Sequence, residues 1–374
     1  LITDTEVIAV SAELPLTLQI SRNGPDYDFS WNSRVDKLYD LLSSTDLSTP
    51  TSGWPVYDDG VTLYENIVPS GLTTVLSAVP SADPRRFFVL RDKDADDRIL
   101  RVLSWNIWGA DANYAKINEV IQTTGADVIG FQELSGVPSV VSSLETATGE
   151  DWYSHGMIIS RFPIIGTSGV GAQIQITPEQ TAWVFNVHFT AYPYQPYDLR
   201  DGTLAQNEAA VIAAAESVRG GQADSLVTTI TNSGAMTAGI PVFVTGDFNE
   251  PSHLDWTQAA ADATARTYDL KVEYPASKKM TDLGLADAFR TVWPDELTRT
   301  GYTWTPGTPP PSINANEVHD RIDFVYYWGT GVTAIDAVTV GIDETNPNTD
   351  IAITAYPSDH RAVLGTFVLP EASE

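Results

Sequence analysis

The stretch VFVTGDFNEPSHLDW, Val242 to Trp256, decides how this chain is to be read. An apolar run enters Gly-Asp-Phe-Asn and then turns through Glu-Pro-Ser-His, the pattern of a buried strand that stops at a polar end. Period-2 geometry places Asp247 and Asn249 on one side of that end while Phe248 turns into the core, so a carboxylate and a carboxamide face one ligand. His253 follows, where it either caps a helix starting near Leu254 or joins the ligand site. A carboxylate beside apolar residues is costly unless something compensates it.

Working outward, the same pattern recurs from Ile99 onward. SWNIWG delivers Asn106, GFQEL delivers Glu133, NVHFT delivers His188, DRIDFV delivers Asp323, and SDHRAV delivers Asp359 and His360. Between these strands lie amphipathic stretches such as YAKINEVIQTTG, with Ile117, Val120 and Ile121 on one helical face, and an Ala-rich helical stretch near 207–218. Strands mixed with such helices imply an α/β fold with sheets covered by helices. Taken singly, each polar residue has an ordinary explanation as a turn residue, a cap or a satisfied core group. Together they form the oxygen-rich set that Mg²⁺ or Mn²⁺ and a phosphate require.

The motifs LSWNIWG, DVIGFQEL, IISRFPI, NVHF, VTGDFNE, DRIDFVYY and SDHRAV occur in the order and spacing of the endonuclease/exonuclease/phosphatase (deoxyribonuclease I-like) superfamily, which this chain resembles over about residues 99–369. The resemblance implies a four-layer α/β sandwich, two packed β-sheets flanked by helices, with the site at one edge. It further implies that Glu133 is the principal metal ligand, with Asn106 close by and Asp359 near the metal. Asp247 and Asn249 orient the attacking water and a phosphoryl oxygen, Asp323 holds the ring of His360, and His188 acts on the phosphate or leaving group. The implied cofactor is a divalent cation, Mg²⁺ first, with Mn²⁺ and Ca²⁺ as alternatives.

The residues support this chemistry independently. Hydrolysis of a phosphate ester needs neutralised phosphoryl oxygens, an aligned water and a stabilised leaving group. A hard cation on carboxylates and an imidazole locked by a carboxylate supply these. No Gly-x-Ser-x-Gly, no Gly-x-x-x-x-Gly-Lys and no cysteine is present, so a serine hydrolase, a P-loop enzyme, a thiolate metal site and any disulfide have no support.

All five histidines lie in or beside these motif segments. His155, His253 and His319 exceed what the resemblance explains, and their convergence would signal an additional metal or a highly charged phosphate. The segment HFTAYPYQPYDLRDG is a stiff aromatic loop after a site strand; Tyr192, Tyr194 and Tyr197, with Arg200 behind them, are candidates for stacking on a base, a sugar or a lipid headgroup.

The remaining signals bound the setting. Over residues 10–92, short alternating segments (LTLQIS, YDFSWNS, VTLYENI, TTVLSAV, RRFFVLR) predict a small antiparallel β-sandwich, and 29–50 resembles fibronectin-III-like modules of secreted enzymes. The charged joint DKDADD sets domains of 1–95 and 96–374, and it lacks the Gly and Glu spacing of a calcium loop. The net charge of -28 is spread over both parts, suits a salty or extracellular medium and repels polyanions. Lys278 and Lys279 are the only adjacent lysines of the large domain, so no basic stripe marks a nucleic-acid binder. No apolar run spans a membrane, and a chain opening on Leu1 is expected to be a trimmed, extracytoplasmic or secreted product. The first expectation is thus a metal-dependent phosphoester hydrolase acting on a small or headgroup-like phosphate ester by in-line attack of water. A secreted deoxyribonuclease I-like nuclease is the alternative. A non-catalytic binding protein on the same scaffold is a third reading, opposed by the presence of the whole polar set. The oligomeric state is not legible.

Overall fold

The computed structural model describes residues 7–10, 15–33, 37–47, 51–65, 67, 73–81, 86–94, 99–109, 113–263, 268–342 and 348–370. The chain divides into two compact units, Leu1–Asp96 with Thr123–Gly125, and Asp97–Gln122 with Ala126–Glu374.

The smaller unit is β-rich. One antiparallel sheet runs in the order Val7–Val10, Pro15–Asn23, Asp26–Asn32 and Thr73–Val79, while Lys37–Ser44 pairs with Phe87–Asp94. Leu18, Phe29, Trp31, Tyr39, Phe88 and Leu90 pack into one core. The stretch VTLYENI, expected as a strand, makes only isolated bridges at Leu63 and Ile67: Val61 and Leu63 face solvent, while Tyr64 and Ile67 pack against the core. Of the joint DKDADD, residues 95–97 lie outside the described residues.

The larger unit stacks two sheets between helical layers. The seven-stranded sheet has Ile99–Asn106 near its middle, parallel to Val128–Gln132 and antiparallel to Ala362–Val368. The six-stranded sheet has Val242–Asp247 near its middle, parallel to Thr181–His188 and antiparallel to Asp323–Trp328. Strands buried on both faces read as near-continuous apolar runs, and Ile99–Asn106 and Val242–Asp247 are buried at every residue. The pleat sorts their side chains. Leu103 and Trp105 turn outward onto Ile117, Val120 and Val140 of the helices Tyr114–Thr124 and Val137–Thr148. Val242 and Val244 turn outward onto Leu226 and Met280 of the helices Gly221–Asn232 and Pro275–Asp282. Leu100, Val102, Val184, Phe243 and Val325 fill the space between the sheets.

Toward one end that apolar interlayer becomes polar. Gln132 Nε2 donates to Asn186 Oδ1 (2.8 Å), Thr245 Oγ1 donates to the same oxygen (2.9 Å), and Asn186 Nδ2 donates to the Phe131 carbonyl (2.7 Å). The amide of Gly246 donates to Ser104 Oγ (2.9 Å). These bonds pin the two sheets in one register. Gly130 permits the close approach, since a Cβ there would lie 1.9 Å from Thr245 Oγ1.

Two local expectations are corrected. The strand ends at Asp247, and Asn249 has φ 49°, so the two residues share a side through a left-handed turn and not through the pleat. No helix begins at Leu254; residues 253–255 form a turn and the next helix is Gln258–Asp262. Asp255 is drawn instead into a buried ion-pair network with Arg290 and Arg321, where the carboxylate satisfies two guanidinium groups.

Candidate active site

Period 2 delivers the site. Asn106 continues the face that carries Val102 and Ser104, His188 that of Val184 and Asn186, Asp247 that of Phe243 and Thr245, and Asp323 that of Val325. Register finishes the placement: Asp247 lies opposite His188 on one side and Asp323 on the other. The polar end of the interlayer therefore opens into a cleft of about 340 Å³.

Asn106, fully buried, donates from Nδ2 to Asp247 Oδ2 (3.0 Å) and Glu133 Oε1 (3.2 Å), while its Oδ1 accepts the Trp108 amide (2.9 Å). Asn249 donates its amide to Asp247 Oδ1 (2.8 Å) and its Nδ2 to the Phe189 carbonyl (3.0 Å). His188 Nε2 stands 3.6 Å from Asp247 Oδ2 and 3.9 Å from Glu133 Oε1. His360 is bonded through Nδ1 to Asp323 Oδ2 (2.9 Å), which leaves Nε2 directed at Asp247 Oδ2, 3.8 Å away. Asp323 sits behind His360, fully buried, with its amide held by Thr303 Oγ1 (3.1 Å).

Charge follows from this packing. Burial raises the Asp247 carboxyl to about 6, aided by the Asp323 charge and opposed by His360 and His188. Burial alone would push the His360 imidazole down, but Asp323, Asp247 and Asp359 outweigh it and hold the ring at about 10, an imidazolium at neutral pH. Asp359 is raised to about 6, first by burial and then by the Glu133 charge, with His360 opposing.

Two sets of residues offer themselves to a cation. Ligating atoms of Asp247, Asp323 and His360 lie within 4.8 Å of one another. In that trio the imidazolium already supplies the positive charge. The carboxylates of Glu133 and Asp359 line the same cleft and repel each other, and Asp359 Oδ1 is buried without a hydrogen-bond partner. Two opposed carboxylates, one with an orphaned oxygen and Asn106 beside the other, are the donor set a hard divalent cation fits.

The structure brings together Asn106, Glu133, His188, Asp247, Asn249, Asp323, Asp359 and His360. Tyr192 and Tyr194 also line the cleft. Tyr197 lines it too, but Arg200 does not: it is tied to Asp201 (2.7 Å) and lies over the Tyr197 ring. The three additional histidines neither line the cleft nor converge. His155 bonds the Gly169 carbonyl (3.1 Å), His253 Nδ1 bonds Ser277 Oγ (2.9 Å), and His319 accepts the Thr305 amide and stacks on Tyr302. Each satisfies a local polar group, which a histidine at a motif's edge does as readily as it binds a ligand.

The stretch WTPGTPPPSINANEVHD, expected as a flexible wall opposite the aromatic loop, contributes Trp304 and Thr308 to the cleft lining, whereas nothing in the sequence singles out Trp108, which also lines it, or Arg219, which supports it. Arg219 is fully buried in a π-helical turn, Glu216–Gly220. It donates to the carbonyls of Thr190 (2.9 Å), Ala191 (2.8 Å) and Pro193 (3.0 Å) and to Gln195 Oε1 (2.7 Å), fastening the aromatic loop. An arginine in an Ala-rich amphipathic stretch gives no sequence signal of such a role.

Comparison with known proteins agrees with the motifs. The family described as Endonuclease/Exonuclease/phosphatase family matches residues 103–360. An uncharacterized protein of Caenorhabditis elegans is 28% identical over 292 residues, covering 72% of this chain and 91% of that protein. Among solved structures, truncated Caenorhabditis elegans TDP2 superposes with TM-score 0.45 at 16% identity, over 74% of this chain and 100% of that chain. An AP endonuclease from Archaeoglobus fulgidus gives TM-score 0.46 at 14% identity, over 72% and 99%. With the family match spanning more than half of its length, this chain belongs to the Endonuclease/Exonuclease/phosphatase family.

Proposed function

We propose that the protein is a divalent-metal-dependent phosphoester hydrolase acting on a small or headgroup-like phosphate ester. The observation that carries this reading is the pairing, in one cleft, of an imidazolium locked by Asp323 with the opposed carboxylates of Glu133 and Asp359. Glu133 and Asp359, with Asn106 adjacent, would hold the cation, Mg²⁺ first, and when bound it would neutralise phosphoryl charge and acidify water.

The side chains supply the remaining chemistry. Asp247, ionised above about pH 6, takes the proton of a water whose oxygen bonds to phosphorus as the ester P–O bond breaks. Asn249 is turned by its left-handed backbone to sit against Asp247, where its amide orients the water or a phosphoryl oxygen. His360 places its Nε2 hydrogen in the cleft for a phosphoryl oxygen, because Asp323 occupies Nδ1. His188 lies at the rim, where it protonates the departing alcohol. A polynucleotide substrate has less support, since among the described residues no Lys or Arg lines the cleft.

The N-terminal residues 1–95 fit an accessory β-sandwich of fibronectin-III-like kind ahead of a catalytic domain at 96–374, a reading supported by the antiparallel strand order and shared core. The charge of -28 supports an extracytoplasmic setting. The test of function is a panel of monoester, diester, sphingomyelin-like and DNA substrates with Mg²⁺, Mn²⁺ and Ca²⁺. Metal-dependent turnover of a small ester is expected, and turnover of DNA alone would overturn the substrate assignment.

A further inference from the structure

The cleft has an acidic floor and an aromatic wall. Trp108, Tyr192, Tyr194, Tyr197 and Trp304 contribute to its lining, against Glu133, Asp247 and Asp359. Three of these aromatics have committed their polar ends to protein. Tyr194 Oη donates to Asp320 (2.9 Å), Tyr197 Oη donates to Glu317, and Trp304 Nε1 donates to Tyr197 Oη (2.9 Å). Asp320 is itself buried and also accepts Trp256 Nε1 (2.9 Å), so the Tyr194 ring is fixed from behind. What these residues offer the cleft is ring surface, without a free donor.

Trp108 and Tyr192 differ in being exposed, at 42% and 66%. A tryptophan left in water beside a catalytic cleft gives up the burial a large aromatic ordinarily gains. Trp108 also sits at φ 51°, a left-handed conformation that is strained for a non-glycine residue. It is held there by the hydrogen bond that its backbone amide donates to Asn106 Oδ1, on a residue of the candidate metal site. Strain and exposure combined on one side chain call for a ligand that covers it. The loop carrying Tyr192 is likewise prebuilt, by the four hydrogen bonds from buried Arg219.

Charge narrows the ligand further. Among the described residues no Lys or Arg lines the cleft, and Arg200 nearby is spent on Asp201 and the Asn316 carbonyl. One phosphate can be met by the cation site and by Nε2 of the His360 ring, which Asp323 holds from behind. A second phosphate would face the carboxylates of Glu133, Asp247 and Asp359 and the ring faces, with the side chains of Asn249 and Thr308 and the rim imidazole of His188 beside them. We infer that the cleft holds a built aromatic subsite selecting esters with a single phosphate group and a flat aryl ring in the alcohol portion. The inference rests on the hydrolase reading above: water adds to phosphorus, the ester P–O bond breaks, and the aryl-bearing alcohol leaves carrying a proton.

The test compares benzyl phosphate with cyclohexylmethyl phosphate, which match in size but differ in aromaticity. Methyl phosphate, phosphocholine and fructose 1,6-bisphosphate complete the set, all with Mg²⁺. The expected result is a kcat/KM about tenfold higher for benzyl than for cyclohexylmethyl phosphate, in line with one stacked ring. In Trp108→Ala and Tyr192→Ala that ratio should fall toward one. A binding arm is independent of turnover: calorimetry with Mg²⁺ should show phenylphosphonate, whose P–C bond is not hydrolysed, binding more tightly than cyclohexylphosphonate, and equally weakly in the variants. Equal benzyl and cyclohexylmethyl rates, or preference for phosphocholine or the bisphosphate, would overturn the subsite while leaving the hydrolase reading intact. Failure to cleave any ester would overturn the hydrolase reading, and the phosphonate titration alone would then decide the subsite.

Discussion

Arg219→Met replaces a buried clamp with a side chain of similar length and no donor. Four acceptors lose a cationic partner at once: the carbonyls of Thr190, Ala191 and Pro193 and the side chain of Gln195. Each hydrogen bond to a charged group is worth about 1.5–3 kcal/mol. Two effects offset the sum. Carbonyls on a surface loop regain water, and deleting a guanidinium whose burial already disfavours its charge returns part of the desolvation cost. The net loss is expected to be about 3 kcal/mol, a large share of the ~5–15 kcal/mol that stabilises a typical domain. Urea denaturation of the full chain measures it as a lower midpoint of the transition that reports the larger unit. Because the clamped loop carries Tyr192 and Tyr194, KM for an aryl phosphate should rise while kcat changes little. Arg219→Lys, which keeps the charge and three donors, should recover part of both effects. A stability loss below about 1 kcal/mol together with an unchanged KM would refute the clamp.

Other outcomes follow from the same geometry. A plot of kcat/KM against pH should rise through about 6 as Asp247 ionises and fall through about 10 as His360 loses its proton. Asp323→Asn removes the charge that opposes burial of the ring, so the basic limb should move down by several pH units. For stability the sign is that of a raised histidine: the His360 contribution is full below its ordinary 6.5 and lost as pH climbs through about 10, measurable as Tm against pH. Gly130→Ala drives a Cβ to 1.9 Å from Thr245 Oγ1 in the interlayer and should cost about 3 kcal/mol or more in chemical denaturation. Asp359→Asn relieves the repulsion from Glu133, so the chelated protein should gain Tm while the further rise on adding Mg²⁺ shrinks.

Much of the site was legible because strand ends announce themselves. An apolar run that stops at Asn106, His188 or Asp247 commits its last inward-facing position to the interlayer end, and period 2 does the rest. The sheets and their covering helices were legible for the same reason. What sequence does not carry is pairing at a distance. Gln132 and Asn186 look like ordinary polar residues, yet they bond each other across the two sheets, 54 positions apart. Asn249 was placed on the correct side by the wrong device, since its φ of 49° ends the pleat that the alternation assumes. The count of histidines suggested a convergence that packing denies: His253 is spent on Ser277 and His155 on Gly169. Trp108 went unremarked because a tryptophan in an apolar run is ordinarily core, and only the fold reveals that it lines the cleft, whereas Trp304 belongs to the stretch expected as a wall of the site.

A cation held by Glu133 and Asp359 and used against a phosphate ester is the centre of the proposed function. The most direct measurement is therefore hydrolysis of benzyl phosphate across an Mg²⁺ titration by the wild type and by Glu133→Gln, which keeps the shape of the side chain and removes its charge. Saturable Mg²⁺-dependent turnover that chelator abolishes, with a variant slower by about a thousandfold or more, is the predicted result. Turnover that ignores the metal, or a Glu133→Gln enzyme as active as the wild type, would contradict the account.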